Sequence, residues 1–384
     1  MSKTQTEYNN GCPYDCGLCT EHDQHSCISH IEITNDCNLS CNTCYANAGG
    51  KKSLSLDQVS NIMDFINECE NNNAEVLQIS GGEPTLHPQI FEIIEMAKAK
   101  KIKYVMINTN GIKIATDEEF VKKLSTYVGS FEIYLQFDTF KDENYMKTRS
   151  AKLVDIKQKA IDNLNKYNIP TTLVATIENG VNDDEIGLLI SYGLNNSCVR
   201  GVNFQPVAYF GRKNGNNDRS NRSTLTDIIN KAEIQTKKML LKKDFIPLPC
   251  NVERVALTYL YKKGNSFVPI TRSNVIENYL PYINNTFMFS VEETLKLGKE
   301  IKFGCCDALN FLKDFKDFVP KDFLLWDINK RIKYVSENTF RVSIASFVDR
   351  YNFDTKSMQK ECVHIFTEDL KRIPFSAYNM IYRG

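Results

Sequence analysis

Cys37, Cys41 and Cys44 stand in the run Cys37-Asn38-Leu39-Ser40-Cys41-Asn42-Thr43-Cys44, and the same spacing occurs once before, in Cys12-Pro13-Tyr14-Asp15-Cys16-Gly17-Leu18-Cys19. With 13 cysteines in 384 residues, composition alone predicts about 0.015 such triplets, so the two are read as ligand sets. Three thiolates on one short loop hold three irons of a [4Fe-4S] cluster and leave the fourth iron open, whereas four thiolates close it. Cys37, Cys41 and Cys44 have no fourth partner nearby in the sequence, so theirs is the open, chemical site. Cys27 follows Cys19 by eight residues and is the candidate fourth ligand of the first set, with His22 and His25 as substitutes. A closed iron–sulfur cluster and a structural zinc site both suit Cys12, Cys16, Cys19 and Cys27. Further on, Cys250, Cys305, Cys306 and Cys362 supply four thiols, as ligands of an auxiliary cluster or, for some of them, as buried free thiols. Cys69 and Cys198 read as core residues.

The rest of the composition bounds the setting. No secretory apolar segment follows Met1, and without one a reducing compartment makes metal binding a better reading of clustered cysteines than disulfides. Lys plus Arg and Asp plus Glu are 47 each, for a net charge of zero, which argues against a general nucleic-acid binder. No stretch approaches the roughly 18 apolar residues of a spanning helix, so the expected location is the cytoplasm.

The cysteines need a frame to hold them. From residue 29 short β-rich runs alternate with helical patterns. The runs are 29–34, 75–79, 104–107, 131–137, 171–177 and 201–205. Between them, Leu56 to Cys69 carries Val59, Ile62, Met63 and Ile66 on one face, and 89–99 carries Ile90, Ile93, Ile94 and Ala97. Six β/α units in series imply an α/β fold with a parallel sheet and right-handed crossovers, an open doubly wound sheet or a partial barrel. The triad follows the first strand, at the end where a β/α barrel places its chemistry. A polar stretch, 211–218, closes the sixth unit. Beyond a helical pattern at 225–243 the chain reads as α+β, with strands at 254–261, 266–270 and 340–347 and a helix at 291–297.

Gly81-Gly82-Glu83-Pro84 ends the second strand and Asn108-Thr109-Asn110-Gly111 ends the third. Together with Cys37, Cys41 and Cys44, these residues make the chain resemble the radical S-adenosylmethionine (SAM) superfamily over roughly residues 29–210. The resemblance implies a partial (β/α)6 TIM-like barrel, a [4Fe-4S] cluster on the triad, and SAM chelated at the open iron and cleaved to a 5′-deoxyadenosyl radical. Gly81 and Gly82 let the backbone approach the methionine part of SAM, and Glu83 is expected to accept from its ammonium group. Thr109, Asn110, Gln136, Asp138, Glu178 and Gln205 sit at the other strand ends, where contacts to SAM or substrate are expected. Thr43 stands where many members have an aromatic residue, so Tyr45 is expected to provide the packing near adenine.

Gly11 to Cys19, His22, His25 and Cys27, with 136–138, 201–206 and 374–379, are similar to the radical SAM branch that contains archaeal tetraether lipid synthase and the methanopterin-pathway methylase. That resemblance implies one or two auxiliary [4Fe-4S] clusters. It also divides the chain into an N-terminal cluster segment (1–28), the barrel (29–215) and a C-terminal α+β auxiliary-cluster region (216–384). Two positions depart from the branch: Glu361 and Ser376 stand where cysteines are expected. The implied activity is hydrogen abstraction from an unactivated carbon and carbon–carbon bond formation, by coupling lipid alkyl chains or adding one carbon to a pterin-like substrate. An electron donor such as ferredoxin or flavodoxin is expected, and a lipid substrate would add peripheral membrane contact. Competing readings are a peptide-modifying maturase, an aminocarboxypropyl transferase using SAM, and a non-catalytic iron–sulfur or zinc protein.

Overall fold

Alternation along six strands builds two different faces. In β1 (Ile28–Glu32), β2 (Val76–Ser80), β3 (Tyr104–Thr109), β4 (Phe131–Gln136), β5 (Thr171–Ile177) and β6 (Val199–Pro206), successive side chains leave on opposite sides. Ile31, Ile79, Ile107, Ile133, Leu173 and Phe204 enter one buried apolar core shared with the helices. His30, Gln78, Asn108, Tyr134, Thr176 and Asn203 face the other way and line a cavity. The chain, a computed structural model, is described over residues 22–46, 48–213, 222–263, 266–272 and 318–383.

Helices α1 (Leu56–Cys69), α2 (Ile90–Ala99), α3 (Ile112–Thr116), α4 (Glu118–Ser125), α5 (Asp142–Arg149), α6 (Val154–Lys166) and α7 (Ile186–Asn195) connect these strands. α1 shows why they form where they do. Ser55 caps it, accepting from the Gln58 N–H at 3.2 Å, while Gln58 Oε1 accepts from the Ser55 N–H at 2.8 Å. The helix then buries Val59, Ile62, Met63 and Ile66, each worth about 1.5–3 kcal/mol when fully removed from water. α8 is shorter than its pattern: it spans Leu225–Gln235, because Lys237 and Lys238 adopt positive φ, 51° and 65°, which a right-handed helix cannot continue through.

The strands of the described residues form one 12-stranded sheet. β1 to β6 are parallel neighbours in chain order. The C-terminal third extends both edges. β10 (Thr339–Ala345) runs parallel to β6, with β8 (Val255–Lys263) antiparallel beyond it and β7 (Ile246–Pro247) and β9 (Ser266–Pro269) on β8. At the other edge β11 (Val363–Phe366) runs parallel to β1, followed by antiparallel β12 (Arg372–Pro374). Among the described residues no hydrogen bonds close the two edges. Even so, Val363 of β11 and Leu257 of β8 line the same cavity, so the sheet wraps round it as an open barrel. The helical pattern at 291–297 lies outside the described residues. Among the described residues no helix is long and apolar enough to cross a membrane.

Candidate active site

The triad loop leaves the carboxyl end of β1 and is held from several sides. The last carbonyls of α5 receive it: the N–H groups of Asn42 and Thr43 donate to the Thr148 carbonyl at 2.9 and 3.3 Å, and Asn42 Nδ2 donates to the Lys147 carbonyl at 2.8 Å. Arg212 donates through Nη1 to the Cys41 carbonyl at 3.2 Å and through its backbone N–H to the Cys44 carbonyl at 3.0 Å. Cys41 is buried, and Cys37 and Cys44 are partly exposed. All three line the cavity. Burial pushes the Cys37 thiol up to about 11, while the Leu39 N–H on its sulfur works in the opposite direction.

A buried ion pair stands behind the loop. Arg149, the last residue of α5, donates from Nε and Nη2 to the two Asp138 carboxylate oxygens at 2.7 and 3.0 Å. Burial alone would lower the guanidinium pKa; the Asp138 charge, and with it the Cys41 sulfur, raises it instead. Arg149 lines the cavity and Asp138 does not. Asp138, expected to contact SAM, accepts in this structure from Arg149 on both oxygens and from the Thr176 N–H on Oδ1. With its amide oxygen turned to the guanidinium, Gln136 accepts from Arg149 Nε at 2.6 Å. Glu178 likewise stays outside the cavity lining, in an ion pair with Lys213 Nζ at 2.8 Å.

The second and third strand ends form one knot. Glu83 Oε1 accepts from the Thr85 N–H and hydroxyl (3.1 and 2.6 Å) and from the Thr109 hydroxyl (2.7 Å), and Oε2 accepts from the Asn110 N–H (2.7 Å). The carboxylate thus ties β2 to β3, and only Oε2 keeps capacity for the ammonium donor expected of it. Asn110 Nδ2 donates to Asn38 Oδ1 at 2.7 Å, linking the knot to the triad loop. Gly81 has φ +141°, and a Cβ there would meet the Thr34 carbonyl oxygen at 2.2 Å; one on Gly82 would meet that of Asp36 at 2.1 Å. These glycines are required first by the close approach of the two loops. Beneath the knot lies Lys157, wholly buried, whose Nζ donates to the Asn110 carbonyl at 2.6 Å; burial lowers it to about 8.

Below this mouth a row of hydrogen-bonded polar side chains interrupts a lining that is otherwise mostly apolar. Tyr134 receives Asn203 Nδ2 at 2.5 Å, Asn203 Oδ1 accepts from the Ser343 hydroxyl at 2.8 Å, and Gln205 Nε2 reaches the Tyr134 oxygen at 3.5 Å. Tyr45 shares a hydrogen bond with Ser80 Oγ at 3.0 Å, and its ring lies 5.2 Å from that of Phe375, which in turn lies 4.6 Å from Phe347. Tyr45 therefore belongs to the lumen wall. The cavity has a volume of about 230 Å³ and also takes in Gly81, Gly82, Glu83, Thr109, Asn110, Gln136 and Gln205.

Cys12, Cys16, Cys19, Cys305 and Cys306 lie outside the described residues. Cys27 sits with Cys250 and Cys362, their sulfurs all within 4.8 Å of one another. Glu361 and Ser376, the two departures from the expected cysteines, are partners: the Ser376 N–H and hydroxyl both donate to Glu361 Oε1, at 3.0 and 3.1 Å. Burial raises the Glu361 carboxyl to about 7. Arg149 was missed in the sequence; a basic residue closing the helix after strand four was its only signal. Cys198 is buried in the outer core and Cys69 packs partly against it.

The donor set at the mouth, three thiols beside a fixed cation, fits three irons of a cluster. Known proteins bear on the same residues. The family model of the Radical SAM superfamily matches residues 31–192. The chain is 32% identical to 7,8-dihydro-6-hydroxymethylpterin dimethyltransferase of Methanocaldococcus jannaschii, over 99% of this chain and 82% of that protein. It is 26% identical to GTP 3′,8-cyclase of Aquifex aeolicus, over 62% of this chain and 72% of the other. Among solved structures, Streptococcus suis SuiB bound to precursor peptide SuiA is matched with a TM-score of 0.48 and 17% identity, over 57% of this chain and 47% of that one.

Proposed function

Because the chain belongs to the radical SAM superfamily, and is thus an enzyme of [4Fe-4S] cluster and SAM, we propose that it adds one carbon to an unactivated carbon of a planar, polar heterocycle of the pterin class. Cys37, Cys41 and Cys44 would hold the cluster, which would supply the electron for cleaving a carbon–sulfur bond of SAM. The protein supplies the rest. Arg149, fixed by Asp138, keeps a cation beside Cys41. Gly81, Gly82 and the Glu83 knot present backbone and carboxylate to the amino-acid end of SAM, and Thr109, Asn110, Gln136 and Gln205 border its remaining parts. The wrapped sheet excludes water from the reacting carbon.

The observation that carries the substrate class is the lumen lining. Gln78, Tyr134, Asn203, Gln205 and Ser343 offer polar edges, and Tyr45, Phe347 and Phe375 aromatic faces, to one cavity whose lining is otherwise mostly apolar, a combination that suits a flat heterocycle. The relative that acts as a pterin dimethyltransferase supports the same class. We assign residues 1–28 and 216–384 to auxiliary-cluster regions flanking the barrel, and a small electron-transfer protein as reductant.

The test is anaerobic. Reconstituted protein receives SAM, dithionite and a dihydropterin, beside Cys41→Ala, and products are read by mass spectrometry. 5′-Deoxyadenosine, methionine and S-adenosylhomocysteine with a methylated pterin, from wild type only, are the expected result, the methyl leaving the sulfur of a second SAM and the two electrons coming from dithionite. Methylthioadenosine would replace the reading with aminocarboxypropyl transfer. 5′-Deoxyadenosine with an unmodified pterin would overturn the substrate class alone.

A further inference from the structure

We propose that a second cavity beside the mouth, lined by Tyr209, Arg222, Arg350, Tyr351 and Asn352, binds an aromatic or heteroaromatic ligand through an anionic group of the phosphate or carboxylate class. Its volume is about 360 Å³, and its lining shares no residue with the reaction cavity. The proposal is independent of the pterin reading.

The fold places this cavity at the reacting end of the sheet. β6 ends at Pro206 and β10 at Ala345, and the two strands are parallel neighbours. The segments that follow them therefore emerge side by side at the carboxyl ends, where β/α folds bind ligands. After β6, Val207, Ala208 and Phe210 line the lumen, while Tyr209 turns to the second cavity, so one stretch of chain walls both. After β10, Asp349 organises the other side. Its carboxylate is wholly buried and accepts from the Tyr209 N–H at 2.8 Å, from the Tyr351 N–H at 2.9 Å and from Arg222 Nη2. The Asp349 N–H donates to Asn352 Oδ1 at 2.7 Å, and the Asn352 N–H closes the turn on the Asp349 carbonyl at 3.1 Å.

These bonds decide the polarity of the lining. The Asp349 carboxylate sits behind the wall with both oxygens engaged. The Asn352 amide oxygen is taken, which leaves Nδ2, a donor, as the end that a ligand can meet. Arg222 reaches Asp349 through Nη2, and its guanidinium lies over the Tyr209 ring, 4.9 Å from the centroid. Arg350 is exposed and has no acidic partner among the described residues. Two guanidiniums against one carboxylate give the wall a net positive charge and a surplus of N–H donors. Guanidinium forks match the paired oxygens of carboxylates and phosphates. Tyr209 and Tyr351 stand edge to face with ring centroids 5.7 Å apart and add ring surface beside those donors. The volume lies in the range of small-molecule sites and exceeds what a bare oxyanion fills.

The test uses the full-length protein and phenyl phosphate as the probe, a ring bearing a dianion, with phenol as its uncharged counterpart. Binding to wild type, Arg350→Gln and Arg350→Lys is measured by calorimetry. Arg350 is exposed and outside the core, so both variants should keep the thermal unfolding of wild type. Wild type should bind phenyl phosphate saturably, less tightly as salt is raised, and phenol at least about tenfold more weakly. Arg350→Gln should weaken phenyl phosphate binding roughly ten- to a hundredfold, and Arg350→Lys, which keeps the charge and loses the fork, by less. Equal affinity of wild type and Arg350→Gln overturns the proposal. So does equal affinity for phenyl phosphate and phenol, or the absence of saturable binding to wild type.

Discussion

The two thiol sets at the ends of the lumen are built in opposite ways. Cys37, Cys41 and Cys44 come from one short run, and two of them stay partly exposed. Their loop is clasped by the end of α5 and by Arg212. Cys27, Cys250 and Cys362 come from three distant segments and are wholly buried. A site that must admit SAM has to open outward, and its ligands can be placed by local spacing alone. A site that joins the edges of a sheet has to be assembled by topology, one ligand per arriving segment. The first kind leaves a motif; the second leaves scattered single cysteines.

Function should separate the two most sharply. Cys41→Ala is expected to lower SAM cleavage by at least about a thousandfold, as loss of a group required by the chemical step does. Cys362→Ala should leave substrate-free 5′-deoxyadenosine formation within about tenfold of wild type, measured by mass spectrometry on anaerobic protein. Equal loss in both variants would break the distinction between a chemical mouth and a supporting floor. Next in size is the pair behind the triad. Arg149→Ala strands the buried Asp138 carboxylate and should cost about 3–5 kcal/mol in denaturant unfolding. Asp138→Asn with Arg149→Ala should cost less than the two singles added, because the residues form one unit.

What could be read in advance follows the same division. The six barrel strands, α1 and the triad loop were legible because each is specified by periodicity or spacing within a few residues. Alternation in a run such as Phe131 to Gln136 fixes both a strand and its two faces. The pairing of β11 with β1 and of β10 with β6 was not legible, since strand neighbours are chosen by whole-chain topology. The closeness of Cys27 to Cys250 and Cys362 was not legible for the same reason, while its expected grouping with Cys12, Cys16 and Cys19 involves residues outside the described ones. Asp138 and Glu178 were read as lumen residues from their positions at strand ends, yet each turns to a cation, Arg149 and Lys213, that the sequence does not pair with it. Glu361 and Ser376 were noticed only as departures, and their mutual hydrogen bonds are a tertiary fact.

A smaller effect sharpens the mouth. At Gly82 an added Cβ would meet the Asp36 carbonyl oxygen at 2.1 Å, and that neighbour is backbone. Gly82→Ala must therefore push the β2 end away from the residue that opens the triad loop. A cost of about 1–3 kcal/mol is expected, as for other overpacked sites, with weaker SAM binding by calorimetry. Unchanged stability and affinity would mean that the two loops move independently.

The smallest expected effect comes from Lys157, under the mouth and remote from the floor. Burial lowers its ammonium to about 8, against about 10.4 in an unfolded chain. Below pH 8 both states are protonated, and the folded state bears the whole burden of a buried charge. As pH rises from 8 towards 10.4 the folded protein gives up this proton first, so the unfolded state binds more protons and stability increases. Between pH 8 and 9 the gain from this group is about 1 kcal/mol. Lys157→Met has no proton to release and should lack that rise, so the two stability curves, measured by urea unfolding at each pH, should converge with increasing pH. Parallel curves would mean that Lys157 keeps its charge beside Asp138 and Glu83, which would make the mouth a charged network throughout the working pH range and strengthen its contrast with the apolar floor.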